Sequence, residues 1–305
     1  MNPIALYFAS GESLFSGAAL LALAIAISHF IRGKWLSLAR NVLSLIALTM
    51  IVMAALAFAW LVDVIFLSAF SFWFIAWDLA VRLQVVRVAT ASLLAGMLLV
   101  FPALEWRHRA LPVISGLPSD HLVVIGDSVS SGIDPNVPTW PAFMQKMTGL
   151  RVINLARPGA YTQDGLDMAD KIELNDRLIL IEIAGNDLIT GVPAREFGRS
   201  LEQLLRKVAA PNRTVVMFEL PLLPWRISYG QVQRQLANKY RVFLIPKRYF
   251  TSVIWGRQAT SDGLHLLPEG ERRMAILVAS LLSPLIKPVH IPLEPESQIP
   301  KFILL

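Results

Sequence analysis

Along this chain the pattern of apolar and polar positions changes once. Between Ser13 and Leu104 apolar residues run in long blocks, Ser13–Ile31, Val42–Val62, Val64–Ala80 and Gln84–Leu104, separated by brief polar breaks. Beyond Ser119 the runs shorten to His121–Ile125, Arg151–Leu155, Arg177–Ile183, Thr214–Glu219 and Val242–Ile245. Between and after them lie Trp140–Thr148, Thr162–Ile172, Ala194–Val208, Tyr229–Asn238 and Pro268–Leu282, which suit helices. Short runs that are apolar throughout predict strands buried on both faces. Their alternation with helices predicts an α/β domain, a parallel sheet sandwiched between helical layers.

The long blocks approach the ~20 apolar residues that a membrane crossing needs. Charge follows the same division. Residues 1–104 hold only Glu12, Asp63 and Asp78 as acids, and Arg32, Lys34, Arg40, Arg82 and Arg87 as bases. An all-α transmembrane region of about four helices is therefore expected, or three if Asp63–Ala80 is re-entrant. Basic residues mark the cytoplasmic side. They put the Ile31–Arg40 loop inside, the N-terminus outside, and Asp63 at a tight outer hairpin. Arg82 and Arg87 then fall in an inner loop, and a multi-pass protein results with everything after Leu104 extracytoplasmic. Arg107 and Arg109 pull the other way, and a three-span reading reverses the side. No basic segment precedes the first block, so it does not read as a signal peptide. Phe66, Phe70, Trp73 and Trp77 recur at helical spacing and read as a packing face.

The expected organisation is a helical region at 1–104, a linker at 105–119, one α/β domain at 120–285 and a Pro-rich tail at 286–305. The chain of 305 residues is 55% hydrophobic and 16% charged, against roughly 25% charged in ordinary soluble domains. It has no cysteine, which excludes disulfides and Cys-based metal sites. The net charge is +6, but Lys and Arg are scattered without a basic tract, so no nucleic-acid partner is expected.

In sheets of this kind functional groups gather beyond the carboxyl ends of the strands. Four polar motifs fall at such places. They are Gly126-Asp127-Ser128-Val129-Ser130, Asn154 through Gly159, Gly185-Asn186-Asp187, and Asp262-Gly263-Leu264-His265 just before the last helix.

Together the four motifs resemble the blocks of the SGNH/GDSL hydrolase family, in the family's order, over about Leu122 to Leu282. Gly126-Asp127-Ser128 is similar to the first block, Gly159 to the second, Gly185-Asn186-Asp187 to the third, and Asp262 with His265 to the Asp-x-x-His of the last. Val129 stands where the family name has Leu. The resemblance implies a flavodoxin-like three-layer domain and ester hydrolysis without a cofactor. It implies Ser128, Asp262 and His265 as catalytic residues, and Ser128, Gly159 and Asn186 as the oxyanion hole. It does not extend to the helical region.

The chemistry of these residue types agrees. A serine hydroxyl needs a base to take its proton, and an ordinary imidazole, with a pKa of ~6.5, can be neutral near pH 7. Asp262, three residues before His265, can hold the ring N–H and fix its tautomer. Backbone N–H groups of Ser128 and Gly159 and the Asn186 amide can meet the oxyanion. Asp127 and Asp187 read as structural. Tyr161 and Thr162 are candidates for the acyl pocket; Leu222, Leu223, Trp225 and Tyr229 either shape the leaving-group side or are packing residues. Ser130 breaks a Gly-x-Ser-x-Gly elbow, no dinucleotide or Walker pattern follows the first strand, and no His-Glu-x-x-His spacing suggests a metal.

The expected activity is that of a membrane-anchored serine esterase acting on an ester-bearing small molecule, glycan or lipid. The alternatives are an O-acyltransferase and, in another class, a non-catalytic membrane sensor with the same fold.

Overall fold

Strands with no polar face need cover on both sides, and that need shapes the C-terminal part of the chain. The computed structural model describes residues 3–30, 34–54, 60–79, 84–222 and 226–286. The strands are β1 (His121–Gly126), β2 (Arg151–Asn154), β3 (Leu178–Glu182), β4 (Thr214–Phe218) and β5 (Phe243–Ile245). They form one parallel sheet in the order β2-β1-β3-β4-β5. This is the flavodoxin-like order, whose reversal point lies between β1 and β3.

Alternate strand residues feed two cores. Leu122, Val124, Leu180, Val216 and Phe218 pack with Trp140 and Met144 of α7 (Trp140–Thr148) and Met274 and Val278 of α13 (Pro268–Leu282). Val123, Ile125, Ile179, Ile181 and Met217 pack with Phe197, Leu201 and Leu204 of α10 (Ala194–Val208) and Leu236 of α11 (Ile227–Tyr240). The bounds of α7, α10 and α13 match the sequence expectation. Thr162–Ile172 does not form one helix. A single 3-10 turn, Thr162–Asp164, leads instead into α8 (Gly165–Ala169). An additional helix, α12 (Lys247–Ile254), forms where Tyr249, Phe250, Thr251, Val253 and Ile254 favour strand by composition. Pro246 at its start and one buried face explain the helix.

The N-terminal region holds α1 (Pro3–Ala9), α2 (Ser13–Phe30), α3 (Lys34–Val52), α4 (Trp60–Leu79) and α5 (Gln84–Trp106). Three expectations are corrected here. The second apolar block does not run from Val42 to Val62; α3 starts at Lys34 and ends in a turn at Met53–Ala54. Asp63 lies within α4, not in a hairpin. Four spans are not supported by length: among the described residues only α5 is long and apolar enough to cross a membrane, and the apolar helices Ser13–Ser28, Ser37–Val52 and Val64–Ile75 are shorter. Arg32, Arg82 and the tail Pro288–Leu305 lie outside the described residues. Phe66, Phe70 and Trp73 are buried in the helical core with Leu21, Leu94 and Phe101. Large apolar side chains including Leu45, Ile65, Phe72, Ile75, Leu93 and Leu99 are exposed.

The helical region rests on the carboxyl ends of β4 and β5. Leu6 of α1 joins the core under α13, and the Leu222 N–H reaches the Ala9 carbonyl at 3.4 Å. Glu105, the first residue of the expected linker, instead sits buried in the last turn of α5. Its carboxylate takes two bonds from Arg234, at 2.8 and 2.9 Å. Arg234 also meets Glu219 at 2.6 Å, and the Lys247 ammonium lies 3.9 Å from Glu105.

Candidate active site

β1 ends at Gly126, and the chain turns back at once. A Cβ at Gly126 would come within 2.7 Å of the Ser130 side chain, so only glycine fits under this turn. Asp127 caps the one-turn helix α6 (Ser128–Ser131): its Oδ1 accepts the Val129 N–H at 3.0 Å. Burial pushes the Asp127 carboxyl up to about 6, against the Val129 and Gly185 N–H groups and the charge of His265. Ser128 is the first residue of the turn and part-exposed. First-turn N–H groups have no partner inside a helix, which leaves the Ser128 N–H free to meet a ligand.

The loop after β2 brings Gly159 to the same rim. Its φ of +71° is left-handed, and a Cβ there would meet nothing within 4 Å. The loop after β3 passes through Ala184, whose φ of +95° is costly for a residue with a Cβ, into α9 (Gly185–Thr190). Asn186 Nδ2 donates to the Ala160 carbonyl at 2.9 Å, which leaves its second N–H for another acceptor. Asp187 Oδ2 accepts the N–H and hydroxyl of Thr162, at 2.8 and 3.0 Å. Those two bonds tie the Gly159 loop to the Asn186 loop. Burial raises the Asp187 carboxyl, with the Thr162 donors opposing.

Gly263, at φ +90°, closes the tight turn between Asp262 and His265. Asp262 Oδ1 accepts the N–H groups of Leu264 and His265, both at 2.9 Å. Its Oδ2 lies 2.6 Å from His265 Nδ1. Burial opposes ionisation of Asp262, but these N–H groups and the ring outweigh it and pull the carboxyl down to about 2. Beside an ionised carboxylate, Nδ1 carries the proton and Nε2 is left as the acceptor. Among the described residues no hydrogen bond joins His265 to Ser128; in unliganded enzymes such contacts commonly tighten only when substrate binds.

Some expected lining residues lie elsewhere. Thr162 is fully buried as the brace of Asp187. Tyr229 is core: it stacks on Phe197, and its hydroxyl donates to the Asp187 and Val192 carbonyls. Leu222 is fully buried, Tyr161 is exposed, and Leu223 and Trp225 lie outside the described residues. Among the described residues no group of three or more His, Asp or Glu side chains is arranged to hold a metal. The sequence places Asn154 in a motif without a role, and its Nδ2 donates to the Ser130 carbonyl at 2.8 Å; sequence reasoning missed Glu182, which accepts the Ser130 hydroxyl at 2.7 Å. Glu182 left a signal: it is the one charged residue of the otherwise apolar strand β3.

Comparison with known proteins adds to this geometry. Residues 124–273 match the model of the GDSL-like Lipase/Acylhydrolase family. The chain is 24% identical over 180 residues to Thioesterase 1/protease 1/lysophospholipase L1 of Escherichia coli (strain K12), covering 55% of this chain and 86% of that protein. It is 28% identical over 183 residues to an arylesterase of Vibrio mimicus, covering 54% and 88%. The crystal structure of TesA matches with a TM-score of 0.49 and 25% identity, over 54% of this chain and 99% of that one.

Proposed function

Because this chain belongs, through residues 124–273, to the GDSL-like lipase/acylhydrolase family of ester-bond hydrolases, we propose that it is a membrane-anchored serine esterase whose nucleophile is Ser128. Ser128 Oγ attacks the ester carbonyl while His265 Nε2 takes its proton. The oxyanion receives the Ser128 and Gly159 N–H groups and the free N–H of Asn186. His265 then returns the proton to the departing alcohol, leaving an acyl-Ser128. Water attacks that ester with His265 again as base, and Ser128 leaves with its proton restored. Asp262 holds the ring and stabilises the imidazolium. The observation that carries the reading is the 2.6 Å pair of Asp262 and His265.

The similar proteins are named thioesterase, lysophospholipase and arylesterase. We take the substrate to be an acyl ester of a small molecule, glycan or lipid. The anchor is the helical region, supported by the length and apolarity of α5 and the exposed apolar side chains around it. Basic residues near the N-terminal helices favour an extracytoplasmic catalytic domain. The test is a panel of short-chain, long-chain and acetylated-sugar esters with purified full-length protein, run with and without an acceptor alcohol. Acid release from one ester class supports hydrolysis, and acyl-alcohol as the main product would shift the assignment to acyl transfer. Cysteine-tag labelling at Pro118 in intact cells reads the side of the membrane.

A further inference from the structure

A one-turn helix such as α6 cannot hold itself, because helix nucleation is unfavourable and a single turn has little propagation to offset it. Something outside must fix the turn that presents Ser128. Ser130, the third residue of the turn, is fully buried, and every polar atom it has is engaged. Its N–H donates to the Asp127 carbonyl at 3.2 Å, and its carbonyl accepts Asn154 Nδ2 at 2.8 Å. Its hydroxyl oxygen lies 3.2 Å from Trp140 Nε1 and 2.7 Å from Glu182 Oε2. An indole nitrogen can only donate, so the single hydroxyl proton must point at Glu182.

Glu182 is well placed to give orders rather than take them. It ends β3 in register with Gly126 of β1, so it is part of the sheet. Its backbone carbonyl accepts the Asp127 N–H at 3.2 Å, just before Ser128, while its side chain holds Ser130, just after it. One residue of a rigid strand therefore grips the chain on both sides of Ser128. We propose that Glu182 is a positioning residue for the nucleophile, acting through the Ser130 hydroxyl; this rests on Ser128 being that nucleophile. Burial and the neighbouring Asp127 carboxyl hold the Glu182 proton well above the usual carboxylate range. A neutral acceptor is all the arrangement needs, and glutamine can supply one.

The test measures kcat and KM of full-length E182A, E182Q and S130A on a p-nitrophenyl ester, with melting temperatures alongside. E182A and S130A are expected to lose about tenfold to a hundredfold in kcat with KM within about twofold. E182Q is expected to recover most of the kcat lost in E182A. If E182A does not fold, S130A, which removes one oxygen atom, carries the test. Wild-type kcat in S130A, or an E182Q as slow as E182A, overturns the assignment. S128A separates the two layers: an active S128A removes the underlying reading, whereas a dead S128A beside a fully active S130A removes only the role of Glu182.

Discussion

The carboxylate of Asp262 holds the His265 ring at 2.6 Å through Nδ1 while two backbone N–H groups hold the carboxylate itself. Orientation of the imidazole is thus built into a four-residue turn. Replacing Asp262 with Asn allows the wrong tautomer and is expected to lower kcat by about 10²–10⁴-fold with little change in KM. Steady-state kinetics at a pH where the wild type is fully active checks it.

Two glycines of the rim are expected to fail differently. Alanine at Gly126 places a Cβ 2.7 Å from Ser130, so the Ser128 turn must shift, and stability and activity are expected to fall together. Alanine at Gly159 clashes with nothing within 4 Å but must adopt φ near +71°. That conformation costs about 1–2 kcal/mol. Alanine keeps the backbone N–H, so G159A is expected to melt slightly lower while kcat falls far less than the ~10²-fold of a lost oxyanion donor. Parallel melting curves and kinetics separate the two cases.

A buried carboxyl makes the domain sensitive to rising pH. Burial pushes Glu271, whose Oε2 accepts the Trp140 N–H at 2.6 Å, up to about 7. Its folded-state pKa exceeds the unfolded one, so the native state binds the proton more tightly. Stability from this source is present below about pH 4.5 and is lost as pH rises toward 7. Asp127 acts in the same direction up to about 6. Asp262 acts oppositely, since its depressed pKa gives stability above about 4 that is lost on acidification toward 2. Denaturant midpoints are expected to decline from pH 4.5 to 7, and E271Q is expected to flatten that decline. An E271Q curve parallel to the wild type would rule Glu271 out as a cause.

Glu105 joins the helical region to the catalytic domain through a buried cluster of Arg234, Glu219 and Lys247. Removing one member of such a cluster strands the others. Burial already lowers the Lys247 pKa, with Glu105 and Glu219 opposing it. E105A is expected to destabilise the full-length protein by about 3–5 kcal/mol, read by chemical denaturation in detergent. A change near zero would mean that water reaches the cluster.

How much was readable in advance depends on whether the signal was local. The strands were legible because Leu178–Ile181 and Val215–Val216 have no polar face, and α10 because its apolar residues fall on one side. The four motifs were legible because a parallel sheet sends its loops to one rim. Residues whose meaning depends on distant partners were not. Tyr229 stays open in the sequence between pocket and packing because nothing nearby announces the Asp187 and Val192 carbonyls that hold it. Glu105 looked like a linker residue because Arg234 is 129 positions away. The break at Met53–Ala54 was invisible because apolar residues continue through it, and hydropathy does not register a turn.

The most direct measurement is mass-spectrometric mapping of a serine-reactive fluorophosphonate on purified full-length protein. The account predicts adduct on Ser128, none in S128A, and labelling slowed by orders of magnitude in H265A. Adduct that persists in S128A, or that forms on Ser130 or Ser131 in the wild type, would contradict the assigned nucleophile. No adduct at all, with no ester hydrolysed, would favour the non-catalytic sensor.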